Sequence, residues 1–133
     1  MDSAQLRQFA TRYTAAWCSQ NAASVAEFFA EGGSLRINHG APSVGRAAIA
    51  HSAQGFMTAF PDLVVNMDGV DLDGDGAVYR WTLVGTNTGP GGTGRAVRIS
   101  GYEQWTIGPD DLIAESEGHF DEIDYQRQLT AKP

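Results

Sequence analysis

The sequence predicts an α+β fold in which one curved antiparallel sheet wraps around a layer of helices. Apolar residues recur at helical spacing near the N-terminus, and from Leu63 onward the apolar period changes to two. Short turns such as "DGDG" separate the period-two segments. Helices segregated from consecutive hairpin-connected strands are typical of this class. With 133 residues and no internal repeat, the chain is predicted to form a single domain over residues 1–133.

The first half of the chain is predicted to hold three helices and a short strand. The first helix is indicated by apolar side chains three or four residues apart: Leu6, Phe9, Tyr13, Ala16 and Trp17. The segment "AASVAEFFAEGG" predicts a second helix that carries Phe28 and Phe29 and stops at Gly32 and Gly33, before a strand at "SLRIN". The third helix follows from Ile49, Ala53, Phe56 and Phe60, and Pro61 ends it.

The second half is predicted to be four long strands and a closing helix. The first strand alternates from Leu63 and closes at the "DGDG" turn. The next three are "AVYRWTLVGTNT", "RAVRISGYEQWTI" and "LIAESEGHF", and "DEIDYQRQL" closes the chain as a short helix. "DLDGDG" imitates half of a calcium-binding loop, but its twelfth position is Thr82, so a hairpin turn is favoured. "GPGGTG" has dinucleotide-loop spacing, but a strand follows it, so a plain hairpin loop is favoured.

Charge and cysteine content exclude several classes of partner. The formal net charge is −7 and the nine basic residues are scattered, so neither nucleic acid nor a membrane surface is an expected partner. Cys18 is the only cysteine, which excludes an intrachain disulfide and a cysteine zinc cage. No signal peptide and no apolar run of about 18 residues is present, so a cytoplasmic location is expected.

The stretch "ESEGHFDEIDY" carries the most conspicuous ionisable side chains. On a strand, Glu115, Glu117, His119 and Asp121 all point to one face because side chains alternate. Asp121 also stands directly before the closing helix, where a carboxylate caps backbone N–H groups. Three interpretations of Asp121 stay open: a helix cap, a pocket residue, or both.

Aromatic side chains are the candidates for lining a pocket. A small sheet packed on helices does not fill its open end completely, and aromatic residues often line the remaining space. Tyr13 and Trp17, one helical turn apart, are either core or pocket residues. The same two alternatives hold for Phe56, Phe60 and Trp105, and Glu103 is counted with them as a substrate-binding candidate.

Most of the chain resembles the SnoaL-like polyketide (ester) cyclases. These belong to a wider group with nuclear transport factor two, ketosteroid isomerase, scytalone dehydratase and limonene epoxide hydrolase. The resemblance spans roughly residues 5–130, and its most specific parts are "AFPDL", "GTNTG", "TGRAVRISG" and the terminal Asp121 with "RQL". It implies a cone-shaped α+β fold with a deep pocket, usually in a homodimer formed through the sheet.

The resemblance also implies roles for individual residues. Asp121 matches the carboxylate that acts as general acid/base in the aldol ring closure of the cyclases, and Asn38 matches an asparagine of the same pocket. Tyr13 matches the tyrosine that hydrogen-bonds the substrate oxyanion in the isomerases. Asn38 stands where the steroid isomerases have their aspartate base, and an amide takes no proton at neutral pH, so steroid isomerisation is disfavoured. Glu117 stands where many cyclases have tryptophan, which disfavours a large aromatic polyketide.

The resulting hypothesis is a cofactor-independent enzyme acting on a small apolar or carbonyl-bearing molecule. Asp121 would be the base, tuned by His119 and Glu117, while Tyr13 and Asn38 hold the enolate oxygen. The chemistry requires neither a metal nor a cofactor. The alternatives are a dimeric module that binds a small ligand without catalysis, a related isomerase or dehydratase, and a protein that binds a partner like nuclear transport factor two.

Overall fold

The computed structural model, which describes residues 1–130, has the predicted helices and strands in the predicted order and one additional two-residue strand before the third helix. The helices are α1 Ser3–Cys18, α2 Ala22–Ala26, α3 Arg46–Ala59 and α4 Glu122–Thr130. The strands are β1 Phe29–Ile37, β2 Ser43–Val44, β3 Val64–Asp73, β4 Gly76–Thr86, β5 Ala96–Ile107 and β6 Ile113–Phe120.

The strands form one curved, open sheet in the order β2-β1-β6-β5-β4-β3. The predicted α+β class with N-terminal helices is confirmed. The sheet was predicted to be antiparallel, and one pair of strands differs. β1 runs parallel to β6, while the other neighbouring strands are antiparallel. A parallel pair needs a long crossover connection, and here α3 and four strands lie between the two partners along the chain.

The apolar stripe of α1 packs against one face of the sheet, called the inner face from here on. Asp2 begins this helix by accepting the Gln5 backbone N–H at 2.8 Å, and the Gln5 side chain accepts the Asp2 backbone N–H at 2.9 Å. Leu6, Phe9 and Tyr13 are buried along the stripe, as their spacing predicted. The opposite face of the sheet is called the outer face.

The segment after α2 differs from its prediction. The helix ends at Ala26, and Phe29 belongs to β1, where it pairs with Ile113. Gly32 and Gly33, predicted to stop the helix, lie instead where the β1–β6 register shifts. A Cβ on Gly33 would lie 2.9 Å from the backbone oxygen of Ile113, so the close approach of the two strands favours glycine there.

Both glycine-rich motifs are hairpin connections. Asp73 pairs with Gly76 across a tight turn in which Gly74 adopts a φ of 58°, a conformation that glycine takes without strain. Residues 87–95 join β4 to β5, and β5 continues directly as a strand. Asn87 is buried and holds this loop, accepting the Thr93 backbone N–H at 2.8 Å and donating to the Ala59 oxygen at 3.1 Å.

Candidate active site

A buried carboxyl group lies on the inner face of β5. Alternate residues of this strand face inward, so Val97 and Ile99 are buried, and the same alternation places Glu103 and Trp105 in the interior. Only 7% of the Glu103 surface is exposed. A carboxyl group at such a position must be satisfied by hydrogen bonds, because burying an uncharged polar group without a partner costs roughly 2–7 kcal/mol and burying an unpaired charge costs far more.

Three side chains donate hydrogen bonds to Glu103. Its Oε1 accepts from Ser116 Oγ at 2.6 Å, from Tyr13 Oη at 3.0 Å and from Trp105 Nε1 at 3.1 Å. Among the residues that the structure describes, Oε2 accepts only the longer hydrogen bond from Tyr13 Oη, at 3.2 Å. None of the ion pairs formed within residues 1–130 includes Glu103. Oε2 therefore retains free acceptor capacity.

Burial determines the acidity of this group. It raises the pKa of Glu103 above the ordinary value of 4.5, and the hydrogen bonds from Ser116, Trp105 and Tyr13 oppose that rise without cancelling it. Burial also raises the pKa of Tyr13, and the nearby charge of Glu103 adds to the effect. A carboxyl group with a raised pKa suits proton transfer near neutral pH.

Glu103 forms part of the wall of an apolar cavity with a volume of about 60 Å³. Five aliphatic and five aromatic side chains form most of the rest of the wall, and the aromatic rings come from Trp17, Phe56, Tyr79, Trp81 and Phe120. Glu103 is the one acidic or basic residue among those lining it. The cavity thus combines apolar walls with a single carboxyl group, the combination expected of a small-molecule site.

The structure brings together five of the predicted site residues and separates the others from them. Tyr13, Glu103 and Trp105 are connected by hydrogen bonds, and Trp17 and Phe56 line the cavity with Glu103. Phe60 is fully buried but is not part of the cavity wall. The remaining predicted residues, which are Asn38, Glu117, His119 and Asp121, are not part of that wall either.

Those four residues lie at the end of β6 or on the outer face. Glu117 is within 3.9 Å of Arg36, and His119 packs on Tyr102 with ring centroids 4.9 Å apart. Asn38, His119 and Asp121 line an open surface depression. The inward positions of β6 belong instead to Ser116, Gly118 and Phe120.

Asn38 joins the ends of β1, β6 and α4. It adopts a φ of 54°, which asparagine tolerates better than most residues. Its side-chain oxygen accepts the Phe120 backbone N–H at 3.0 Å, and its side-chain nitrogen donates to Glu122 at 3.3 Å. These bonds give Asn38 a structural role at this position.

Asp121 caps α4. Its Oδ1 accepts the backbone N–H of Asp124 at 2.9 Å, and its backbone oxygen accepts the N–H of Tyr125 at 3.0 Å. Of the three interpretations of this residue, the structure shows the cap.

Removing this cap is expected to destabilise the protein. We expect Asp121→Ala to lower the free energy of unfolding by about 1 kcal/mol, because the Asp124 N–H loses its acceptor. Asp121→Asn should be nearly neutral, since asparagine also caps helices. Urea unfolding followed by circular dichroism measures both variants. If both variants lost the same free energy of unfolding, the hydrogen bond from the Asp124 N–H to the side chain at position 121 would contribute little to stability.

Sequence reasoning missed Ser116, Gly118, Tyr79 and Trp81 as residues of the site. The signal for Glu103 and Ser116 was present, because a charged residue and a hydroxyl interrupt the buried positions of β5 and β6. A polar residue on the buried face of a strand is the informative exception to apolar alternation. Tyr79 was detectable by the same alternation on β4, where it is buried and stacks on Trp105 at 4.9 Å.

Within residues 1–130, no group of three or more histidine, cysteine, aspartate or glutamate side chains is arranged to hold a metal ion. No helix in that range is long and apolar enough to cross a membrane.

Comparison with known proteins places the chain in a family. The model of the SnoaL-like polyketide cyclase family matches residues 7–129. The chain belongs to the SnoaL-like polyketide cyclase family. The match covers the helices, the sheet and the Glu103 cavity of this SnoaL-like protein. No curated protein matches the sequence at a significant level.

Solved structures share this fold at low sequence identity. TsrD from Streptomyces laurentii superposes with a TM-score of 0.84 at 22% identity, covering 99% of each chain. A putative SnoaL-like polyketide cyclase from Jannaschia sp. CCS1 gives 0.79 at 19% identity, covering 100% of this chain and 99% of the other. A ketosteroid isomerase-like protein from Catenulispora acidiphila, in complex with trimethylamine, gives 0.80 at 16% identity, covering 92% of each. These likenesses show the ketosteroid isomerase-like fold.

Proposed function

We propose that this SnoaL-like protein is a cofactor-independent enzyme that moves a proton at the carbon next to a carbonyl group. Its substrate is a small carbonyl-bearing molecule bound in the cavity, and Glu103 is the base and then the acid. The observation that carries the proposal is the Glu103 carboxyl group, which lies in an apolar wall, has no cationic partner within residues 1–130 and has a pKa raised by burial.

The proposed step uses the freer oxygen of the carboxylate. Glu103 Oε2 takes the α-proton, the C–H bond breaks, and its electron pair moves through the carbon–carbon bond onto the carbonyl oxygen. The enolate then either takes the proton back at carbon or attacks a second carbonyl carbon, as in an aldol cyclisation. In the second case Glu103 returns its proton to the new alkoxide oxygen, so the carboxylate is regenerated.

The residues around Glu103 have separate tasks in this mechanism. Ser116, Tyr13 and Trp105 occupy Oε1 and fix the orientation of the carboxyl group, which leaves Oε2 for the substrate. Trp81 lines the cavity and carries an indole N–H donor. We assign this N–H to the developing enolate oxygen, since oriented donors at that oxygen lower the barrier.

Exchange of α-protons for deuterium tests the proposal directly. Acetone and cyclohexanone are incubated with the protein in D₂O, and loss of the α-proton signal is followed by NMR. We expect the wild type to accelerate exchange over buffer and Glu103→Gln to abolish that acceleration, because an amide does not accept the proton. Glu117→Gln is the matched control, since it makes the same chemical change on the outer face.

The same assay shows whether Glu103 or Asp121 is the base. If Asp121→Asn lost the exchange while Glu103→Gln kept it, the base would be Asp121 and the assignment of Glu103 would be wrong. Exchange by the wild type no faster than buffer on either ketone would count against catalysis of this kind.

Binding of a small amine without catalysis is the second candidate function. The Catenulispora acidiphila protein with this fold is in complex with trimethylamine. In this chain, the aromatic faces and the carboxyl group of the cavity would attract a small cation. We expect titration calorimetry with trimethylamine at neutral pH to show weaker binding to Glu103→Gln than to Glu117→Gln if this function holds. Equal affinities in the two variants would contradict it.

The homodimer formed through the sheet and the cytoplasmic location also remain proposals. The dimer is supported by the family resemblance and by the outer face, where Val64 and Tyr102 are each 42% exposed.

A further inference from the structure

The residue opposite Glu103 in the sheet has no side chain. Glu103 of β5 pairs with Gly118 of β6, and Gly118 belongs to the cavity wall. Directly paired residues of neighbouring strands place their Cβ atoms about 4.5–5.5 Å apart on the same face. Gly118 therefore leaves open the space immediately beside the catalytic carboxyl group.

The backbone does not require glycine at position 118. Gly118 is absent from the glycines with positive φ, and a Cβ there would make only ordinary contacts, 3.8 Å from Glu103 Cγ and 3.5 Å from the Arg36 backbone oxygen. By contrast, a Cβ on Gly76 would lie 1.8 Å from the Trp105 oxygen, and one on Gly101 would lie 2.2 Å from the His119 oxygen. Close backbone packing requires glycine at positions 76 and 101, whereas the packing around position 118 leaves room for a methyl group.

The cavity is small compared with sites for large ligands. Its volume is about 60 Å³, room for about four or five water molecules, whereas pockets for drug-sized ligands measure roughly 300–1,000 Å³. Its walls combine aromatic and aliphatic side chains, and Tyr79 is held by a stack on Trp105 and a 2.5 Å hydrogen bond with Thr14. A cavity of this volume is too small for an extended polyketide.

We infer that the substrate is a compact carbonyl compound with few heavy atoms, and that Gly118 determines how large a group fits beside Glu103. This inference rests on the proposed function and names the substrate class of that site. A methyl group at position 118 would occupy space next to the carboxyl group without touching its hydrogen-bond donors.

A size series of ketones tests the inference. Acetone, cyclohexanone and 1-tetralone are compared in the deuterium-exchange assay with the wild type and Gly118→Ala. We expect the wild type to exchange 1-tetralone at least about tenfold more slowly than cyclohexanone, relative to buffer. In Gly118→Ala, kcat/KM for cyclohexanone should fall by about tenfold, while that for acetone should change by less than about twofold.

Gly55→Ala is the matched control, because Gly55 lies on the exposed side of α3 with no atom within 4 Å of its added Cβ. Its size profile should equal that of the wild type. Saturation-transfer NMR with the same ketones measures binding independently of turnover, so the size limit can be determined even in a protein that does not catalyse exchange. The wild-type size profile also tests the inference if Gly118→Ala does not fold.

The outcomes separate the two proposals. If no ketone shows Glu103-dependent exchange, the proposed function is wrong, and the binding profile still decides the size limit. If exchange depends on Glu103 but the wild type processes and binds 1-tetralone as well as cyclohexanone, the compact substrate class is overturned. Identical size profiles for Gly118→Ala and the wild type overturn the role of Gly118.

Discussion

Trp105→Ala is expected to lower the free energy of unfolding by about 3–5 kcal/mol, because it removes a large buried side chain from the centre of the core. Only 1% of the Trp105 surface is exposed. Its ring stacks on Tyr79 and meets Phe9 and Tyr13 edge-on, with centroids 5.7 Å and 5.2 Å away. The variant also removes one donor to Glu103, so the carboxyl group is left with Ser116 and Tyr13.

Urea unfolding monitored by circular dichroism measures this loss. Trp105→Phe should recover part of the stability, since an aromatic ring stays in the core while the N–H donor is lost. Trp81→Ala is the matched comparison. Trp81 is only partly buried at the cavity wall, so its replacement should lower the free energy of unfolding by less. If Trp105→Ala cost no more than Trp81→Ala, the stack on Tyr79 would not be the centre of the core.

Local sequence signals were sufficient to predict most of the helices and strands. The period of α1, the "DGDG" turn and the alternation of the long strands depend on neighbours along the chain, and the structure confirms them. The segment from Phe28 to Gly33 was different, because a short apolar run fits a helix or a strand equally well. Its conformation is decided by pairing with Ile113, a residue some eighty positions away.

The position of the candidate site could not be predicted from the alternation of side chains alone. Period two correctly grouped Glu115, Glu117 and His119 on one face of β6, but it does not say which face is covered by helices. The structure turns Ser116 and Phe120 inward, so the conspicuous charges lie outside. Glu103 was identifiable as a substrate-binding candidate because it interrupts an apolar face, yet its hydrogen bonds depend on residues of α1 and β6.

Glu103→Gln is expected to lower the rate of proton transfer by about 10²–10⁴-fold, the usual contribution of a general base. In the wild type the rate should rise with pH as Glu103 loses its proton, and then level off. Because burial raises the pKa of Glu103 above 4.5, this rise should lie at higher pH than for an exposed glutamate. Glu117→Gln should keep the wild-type profile.

The same titration should affect stability in the opposite direction. Between pH 4.5 and the raised pKa of Glu103, the folded protein holds a proton that the unfolded chain has released. The unfolding free energy contributed by Glu103 is therefore fully present below about pH 4.5 and declines as the pH rises through that window. Urea unfolding of the wild type minus that of Glu103→Gln, measured against pH, isolates this contribution. If this difference in unfolding free energy stayed constant over the pH range in which exchange activity rises, the titrating base would be a group other than Glu103. Asp121→Asn in the same two assays would then show whether that group is the carboxylate that caps α4.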